Sequence, residues 1–143
     1  MQKIEFTKMH GLGNDFVIID KRSNKIEIND NLIQKLSDRK TGAGCDQLII
    51  INESKNKNTD IKIDIFNPTG DKAEACGNGT RCVANLLAKE NDKKLIVLTT
   101  LSGNLKSKIL GDRIVSTEIG IGKTDWSEIP LSKNLNTNNL NIK

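Results

Sequence analysis

At 143 residues, 36% hydrophobic and 28% charged, the chain is sized for one domain that can bury a core without disulfides or a metal. Its net charge of +4 is scattered among acidic and amide residues with no aromatic interleaving, which argues against a nucleic-acid surface. No apolar run approaches the roughly 18 residues of a membrane span, and Met-Gln-Lys-Ile-Glu-Phe at the start is not a signal peptide, so the expected location is cytoplasmic.

In chain order, residues 4–9 read as a short strand and, after the turn His10-Gly-Leu-Gly-Asn-Asp, residues 16–20 read as a second. Asn29 or Asp30 offers an N-cap for a helix whose Leu32, Ile33 and Leu36 share one face. Thr-Gly-Ala-Gly-Cys breaks the chain at 41–45, and the apolar run over 46–51 predicts a strand covered on both faces. Residues 52–60 are a polar loop. Ile61, Ile63 and Ile65 then alternate with Lys62, Asp64 and Phe66 as a strand with one face inward, and Asn67-Pro-Thr-Gly is a turn.

From Gly79 the period lengthens. Cys82, Val83, Ala84, Leu86, Leu87 and Ala88 leave only Arg81, Asn85 and Lys89 as a polar stripe, the pattern of a mostly buried helix. Residues 95–101, 105–110 and 113–121 read as strands joined by hairpin turns at Ser102-Gly103-Asn104 and Gly111-Asp112. About seven strands and two helices, one apolar nearly all round, make an α+β fold in which a β-barrel-like curled mixed sheet wraps a central apolar helix. Residues 1–125 form this domain, and 126–143, rich in Asn, Ser, Thr and Lys from Leu131 on, read as the start of a connection.

Cys45, Cys76 and Cys82 are odd in number and lack a CxxC pair, and His10 is the only histidine. Reduced thiols are expected, and no metal. Cys76 stands just ahead of the long helix in Cys-Gly-Asn-Gly-Thr-Arg. The first N–H groups of a helix lack intrahelical partners, and the dipole places partial positive charge on a sulfur there, which favours a thiolate. Gly77 and Gly79 have no Cβ to keep a ligand off the backbone, and the N–H groups of Gly77 and Asn78 can hold a carboxylate. A base and an anion cradle side by side suit removal of a proton from a carbon next to a carboxylate. The alternative is a tight strand-to-helix turn carrying a buried cysteine. Cys82 reads as core, and Cys45 as structural. A phosphate loop is excluded, because Cys-Gly-Asn-Gly-Thr-Arg-Cys lacks its lysine and Gly-Leu-Gly-Asn-Asp-Phe is not GxGxxG.

Four blocks, FTKMHGLGNDFVIID at 6–20, GAGCDQLII at 42–50, IDIFNPTGDKAEACGNGTRCVA at 63–84 and TLSGNL at 100–105, resemble the diaminopimelate epimerases in order and spacing. The resemblance implies a cofactor-independent enzyme that converts LL-diaminopimelate to the meso form in lysine and peptidoglycan precursor synthesis. Two cysteines on opposite faces of the α-carbon exchange its proton, in a cleft between two similar domains. It assigns Cys76 as one catalytic cysteine, Gly77 and Asn78 as the carboxylate cradle, and Asn14, Gln47 and Asn67 as substrate-binding residues. His10 receives no role and is expected in loop structure. Cys45 and Thr69-Gly-Asp depart from the commoner family pattern.

The family's second domain, with its own cysteine, is not among these residues. The expected partner is therefore that C-terminal domain or a separate half, with a homodimer left open, and the chain alone is expected to be inactive. Two alternatives remain at this point: another isomerase of the superfamily, of the proline racemase or phenazine-synthesis type, or a non-catalytic half-domain that binds an amino acid.

Overall fold

The computed structural model describes residues 3–23 and 25–140. The last three residues of the expected connection, and Met1 and Gln2, lie outside these. The strands are β1 (Thr7–Gly11), β2 (Asn14–Asp20), β3 (Gln47–Glu53), β4 (Ile61–Phe66), β5 (Lys72–Ala73), β6 (Leu95–Thr100), β7 (Gly103–Gly111) and β8 (Ile114–Thr117). They form one mixed sheet in the order β1-β2-β3-β4-β6-β7-β8, with β5 paired to β4. The β2–β3 and β4–β6 pairs are parallel and the others antiparallel.

Helix α2 (Gly77–Asn91) lies against β1, β2, β6, β7 and β8. Contact with both end strands requires the sheet to curl around the helix, which is the α+β arrangement expected from the apolar pattern. Helix α1 (Asp30–Ser37) covers the other face. The Asn29 side chain caps it, accepting the Leu32 N–H at 2.9 Å, and Ile33 is buried beneath it.

The aliphatic runs follow from this sandwiching. Phe16 and Ile18 of β2 and Ile49 and Ile51 of β3 face the α2 core, while Val17, Ile19, Leu48 and Ile50 face the α1 core. Ile61, Ile63 and Ile65 all point to α2. Leu87, 1% exposed, sits in that core, and Leu87→Ala is expected to cost about 2–5 kcal/mol, read by urea denaturation. No helix among the described residues is long and apolar enough to cross a membrane.

Several boundaries differ from the expectation. His10 lies in β1 opposite Asp15, exposed, and not in a loop. Leu12 (φ 55) and Gly13 (φ 90) form a two-residue hairpin with both central residues left-handed, so the strands run up to Gly11 and Asn14. Helix α2 starts at Gly77, two residues before the periodicity begins, because its first residues are set by capping. The strand expected over 113–121 ends at Thr117. Beyond it, Ile119 and Ile121 are exposed, with nothing on the sheet to bury them. One helical turn, Trp126–Glu128, interrupts the expected connection.

Candidate active site

Because β2 and β3 run parallel and β4 antiparallel to them, the first residues of β2 and β3 and the end of β4 share one end of the sheet. Asn14 opens β2, Gln47 opens β3, and Asn67 follows β4. Cys76 reaches the same end by a device invisible to periodicity. After the Asn67–Gly70 turn, closed by the Gly70 N–H on Asn67 O at 2.9 Å, the two residues of β5 pair back on β4 and deliver the chain to the start of α2.

Cys76 is the N-cap of α2. Its extended backbone (φ −147, ψ 106) turns the sulfur over the helix start, where Sγ accepts the Gly79 N–H at 3.4 Å. Thr80, fully buried, donates its N–H at 2.8 Å and its hydroxyl at 2.9 Å to Cys76 O, locking the cap. The N–H groups of Gly77 and Asn78 have no acceptor among the described residues, leaving two donors beside a half-buried sulfur. Unpaired N–H groups at a helix start are able to hold an anion.

The two glycines differ in what packing asks of them. A Cβ on Gly79 would lie 2.7 Å from Ile49 Cδ1 and 3.3 Å from Phe16 Cε1, so this glycine lets α2 seat on β2 and β3. A Cβ on Gly77 would make only ordinary contacts, with Arg81 at 3.7 Å and Ile119 at 3.8 Å, so packing does not require glycine there. Gly11 adds a close approach, its ideal Cβ being 3.3 Å from Asn78 Cβ.

The expected site residues form two groups. Asn14 Oδ1 lies 3.7 Å from Cys76 Sγ and accepts Asn78 Nδ2 at 3.4 Å. Gln47 Nε2 donates to Asn67 Oδ1 at 3.1 Å, and Asn67 Nδ2 donates to Asp71 at 2.6 Å. No hydrogen bond joins the groups among the described residues; the shared sheet end brings them together. Cys82 is buried one and a half turns on, and burial pushes its thiol up to about 11. Cys45 is 2% exposed with Sγ 3.5 Å from Ser37 Oγ. Neither is placed to face a substrate.

Sequence reasoning missed Asp46 and Arg81. Asp46 accepts Asn14 Nδ2 at 3.0 Å and the Asp15 N–H at 2.9 Å, and Arg39 donates to its other oxygen at 2.7 Å. Arg81 donates to Asn78 Oδ1. The signal for Asp46 was its place between the glycine-rich break and Gln47, where a charge has no packing purpose.

The Asp15 N–H and the Asn14 amide hold the Asp46 carboxyl below the usual range. Arg39, and then Lys8, hold that of Asp15 well below it. Both are depressed in the folded state, so their stabilisation is complete above the ordinary value of 3.8 and is lost as pH falls below it. The melting temperature is expected to hold between about pH 5 and 7 and to drop below about pH 4. Asp15→Asn should be less stable at pH 7 and lose less on acidification, which thermal melts across pH will read.

The curled mixed sheet around one helix is a fold found in solved structures of other proteins. Methylitaconate-delta-isomerase superposes with a TM-score of 0.63 at 17% identity, over 90% of this chain and 68% of that one. A probable proline racemase from Agrobacterium radiobacter K84 superposes at 0.60 and 16% identity, over 73% and 37%. At such identities the likeness is one of fold.

The sequence is more specific. The profile of the diaminopimelate epimerase family matches residues 6–124, and the chain belongs to that family. It is 56% identical over 140 residues to the diaminopimelate epimerase of Pelagibacter ubique, covering 98% of this chain and 50% of that protein. It is 44% identical over 132 residues to that of Zymomonas mobilis, covering 92% and 46%. The chain thus spans about half the length of the curated relatives it matches.

Proposed function

We propose that these residues are the N-terminal half of a cofactor-independent diaminopimelate epimerase, in which Cys76 is one of two thiols that invert the α-carbon of LL-diaminopimelate to the meso form. The observation that carries the reading is the Cys76 cap, with Sγ 3.4 Å from the Gly79 nitrogen beside the free N–H groups of Gly77 and Asn78.

An α-proton beside a carboxylate is very weakly acidic, so the developing carbanion requires donors fixed in advance, in a site closed to water. The two N–H groups supply them on the carboxylate oxygens. The Cys76 thiolate then takes the α-proton as the C–H pair moves toward the carboxylate, and a thiol on the opposite face returns a proton to carbon. In the reverse direction the roles exchange. Asn14, Gln47 and Asn67 are neutral amides that bind the substrate's ammonium and carboxylate groups without adding a competing base.

Cys45 and Cys82 are buried, so the second acid comes from residues outside this stretch, in the same chain or another. The domain boundary near residue 125, cytoplasmic location and the partner half belong to this reading.

The test is α-proton exchange from LL-diaminopimelate in D2O, followed by NMR. The purified 143-residue chain is expected to form no meso isomer, and the chain together with the proposed second half, fused or separate, to form it readily with deuterium at the α-carbon. Inversion by the chain alone would sink the two-half reading. Failure of the two halves together to invert this substrate would sink its assignment.

A further inference from the structure

The amides of Asn14 and Asn78 form a hydrogen-bonded chain with a charge at each end. At one end Asp46, an ionised carboxylate, can only accept, and it takes Asn14 Nδ2 at 3.0 Å. At the other end the Arg81 guanidinium can only donate, and it does so to Asn78 Oδ1. Between them Asn78 Nδ2 donates to Asn14 Oδ1 at 3.4 Å.

A side-chain amide has nearly the same shape with its oxygen and nitrogen exchanged, so shape alone does not orient it. Each terminal charge admits one orientation, and the two agree. The result is that an oxygen, Asn14 Oδ1, faces Cys76 Sγ at 3.7 Å. That oxygen accepts the thiol proton and repels a thiolate, while the Gly79 N–H at 3.4 Å favours the thiolate. A residue that must act as acid in one direction and base in the other needs both influences. Asp46 is itself held in place, by the Asp15 N–H at 2.9 Å and Arg39 at 2.7 Å.

We propose that Asp46 and Arg81 are positioning residues that act through Asn14 and Asn78 to keep a hydrogen-bond acceptor against the Cys76 thiol. The inference rests on Cys76 being the reacting thiol. The other titratable groups are Glu74, ahead of α2 in the chain, the neutral Cys82 thiol on α2, and Lys8, Asp15 and Arg39 behind Asp46.

The experiment is the pH profile of Cys76 alkylation by iodoacetamide, peptide by peptide, in the double variant Asp46→Asn/Arg81→Met. It removes one negative and one positive charge, so long-range electrostatic effects cancel to first order, while neither end of the amide chain any longer admits only one orientation. Asn14 is then free to turn its NH2 toward the sulfur. The break in the profile is expected to move down by about one pH unit, a roughly tenfold faster reaction below the break. The shift should vanish when Asn14→Ala is added.

An unmoved break, or the same shift without Asn14, overturns the proposal. Cys45 and Cys82 report on folding, since both are buried and react only if the domain opens. In that event the unaltered chain serves: a through-bond NMR coupling from the Asn14 side-chain nitrogen to the Asp46 carboxylate is expected, and its absence overturns the assignment. None of these readings requires turnover, so failure of the epimerase reading in the exchange assay is scored separately.

Discussion

Under the proposed function, Cys76→Ser in this chain together with the second half is expected to lower kcat for diaminopimelate epimerisation at least about a thousandfold, with KM changed by less than about threefold. The serine hydroxyl keeps an acceptor at the helix cap, so the fold and the Gly77 and Asn78 cradle survive. What disappears is the thiol that carries the α-proton in the proposed scheme. The two-thiol scheme adds a sharper expectation. With one face still served by the second thiol, the variant should exchange the α-proton of only one stereoisomer with solvent and should return it without inversion. Steady-state kinetics and deuterium exchange on each isomer will read both. More than a tenth of the unaltered kcat, or equal exchange of both isomers, removes Cys76 from the reaction.

Gly42→Ala is expected to destabilise the domain by about 3 kcal/mol or more, or to prevent folding. An ideal Cβ there would lie 2.0 Å from Lys35 O, 2.9 Å from Leu36 O and 3.0 Å from Asp38 O. All three are backbone atoms at the end of α1, and none can swing aside as a side chain could. The loop sits so close because it satisfies carbonyls at that helix end: the Gly42 N–H bonds Asp38 O at 3.0 Å, the Gly44 N–H bonds Leu36 O at 2.9 Å and the Cys45 N–H bonds Ser37 O at 3.1 Å. This loop also leads directly into Asp46 and Gln47. A variant that folds should therefore bind substrate less tightly as well as melt earlier. Urea denaturation measures the first effect, and a loss under about 1 kcal/mol would show that the loop can move off the helix.

The parts of the fold that were legible are those where burial has a period. Alternation at Ile61, Ile63 and Ile65, unbroken apolar runs over 16–19 and 48–51, and a nearly all-apolar helix each state which faces are covered. The parts that were not legible rest on single backbone events. Leu12 at φ 55 carries no mark of a left-handed residue, and β5 is two residues long, too short to show any alternation. The site divides the same way. Cys76 with its glycines speaks through the local physics of a helix start. The meeting of Asn14 with Cys76 spans 62 residues, and only family resemblance pointed to it. The bonds of Asp46 to Asn14 and of Arg81 to Asn78 escaped because neither partner is marked by periodicity, and the place of Asp46 after the glycine-rich break was the one local sign.

The sulfur at the N-cap also bears on how this domain ages. Oxidation of Cys76 to a sulfinate ends its proton chemistry but leaves an anionic, oxygen-bearing acceptor where the helix start favours one. The helix cap is therefore kept, while the Asn14 oxygen, 3.7 Å from the sulfur, would face the added negative charge. Damage by peroxide should thus leave α2 formed and disturb only the amides packed on the cap, so that mass, with the Asn14 side-chain resonance beside it, reports what a melting curve passes over.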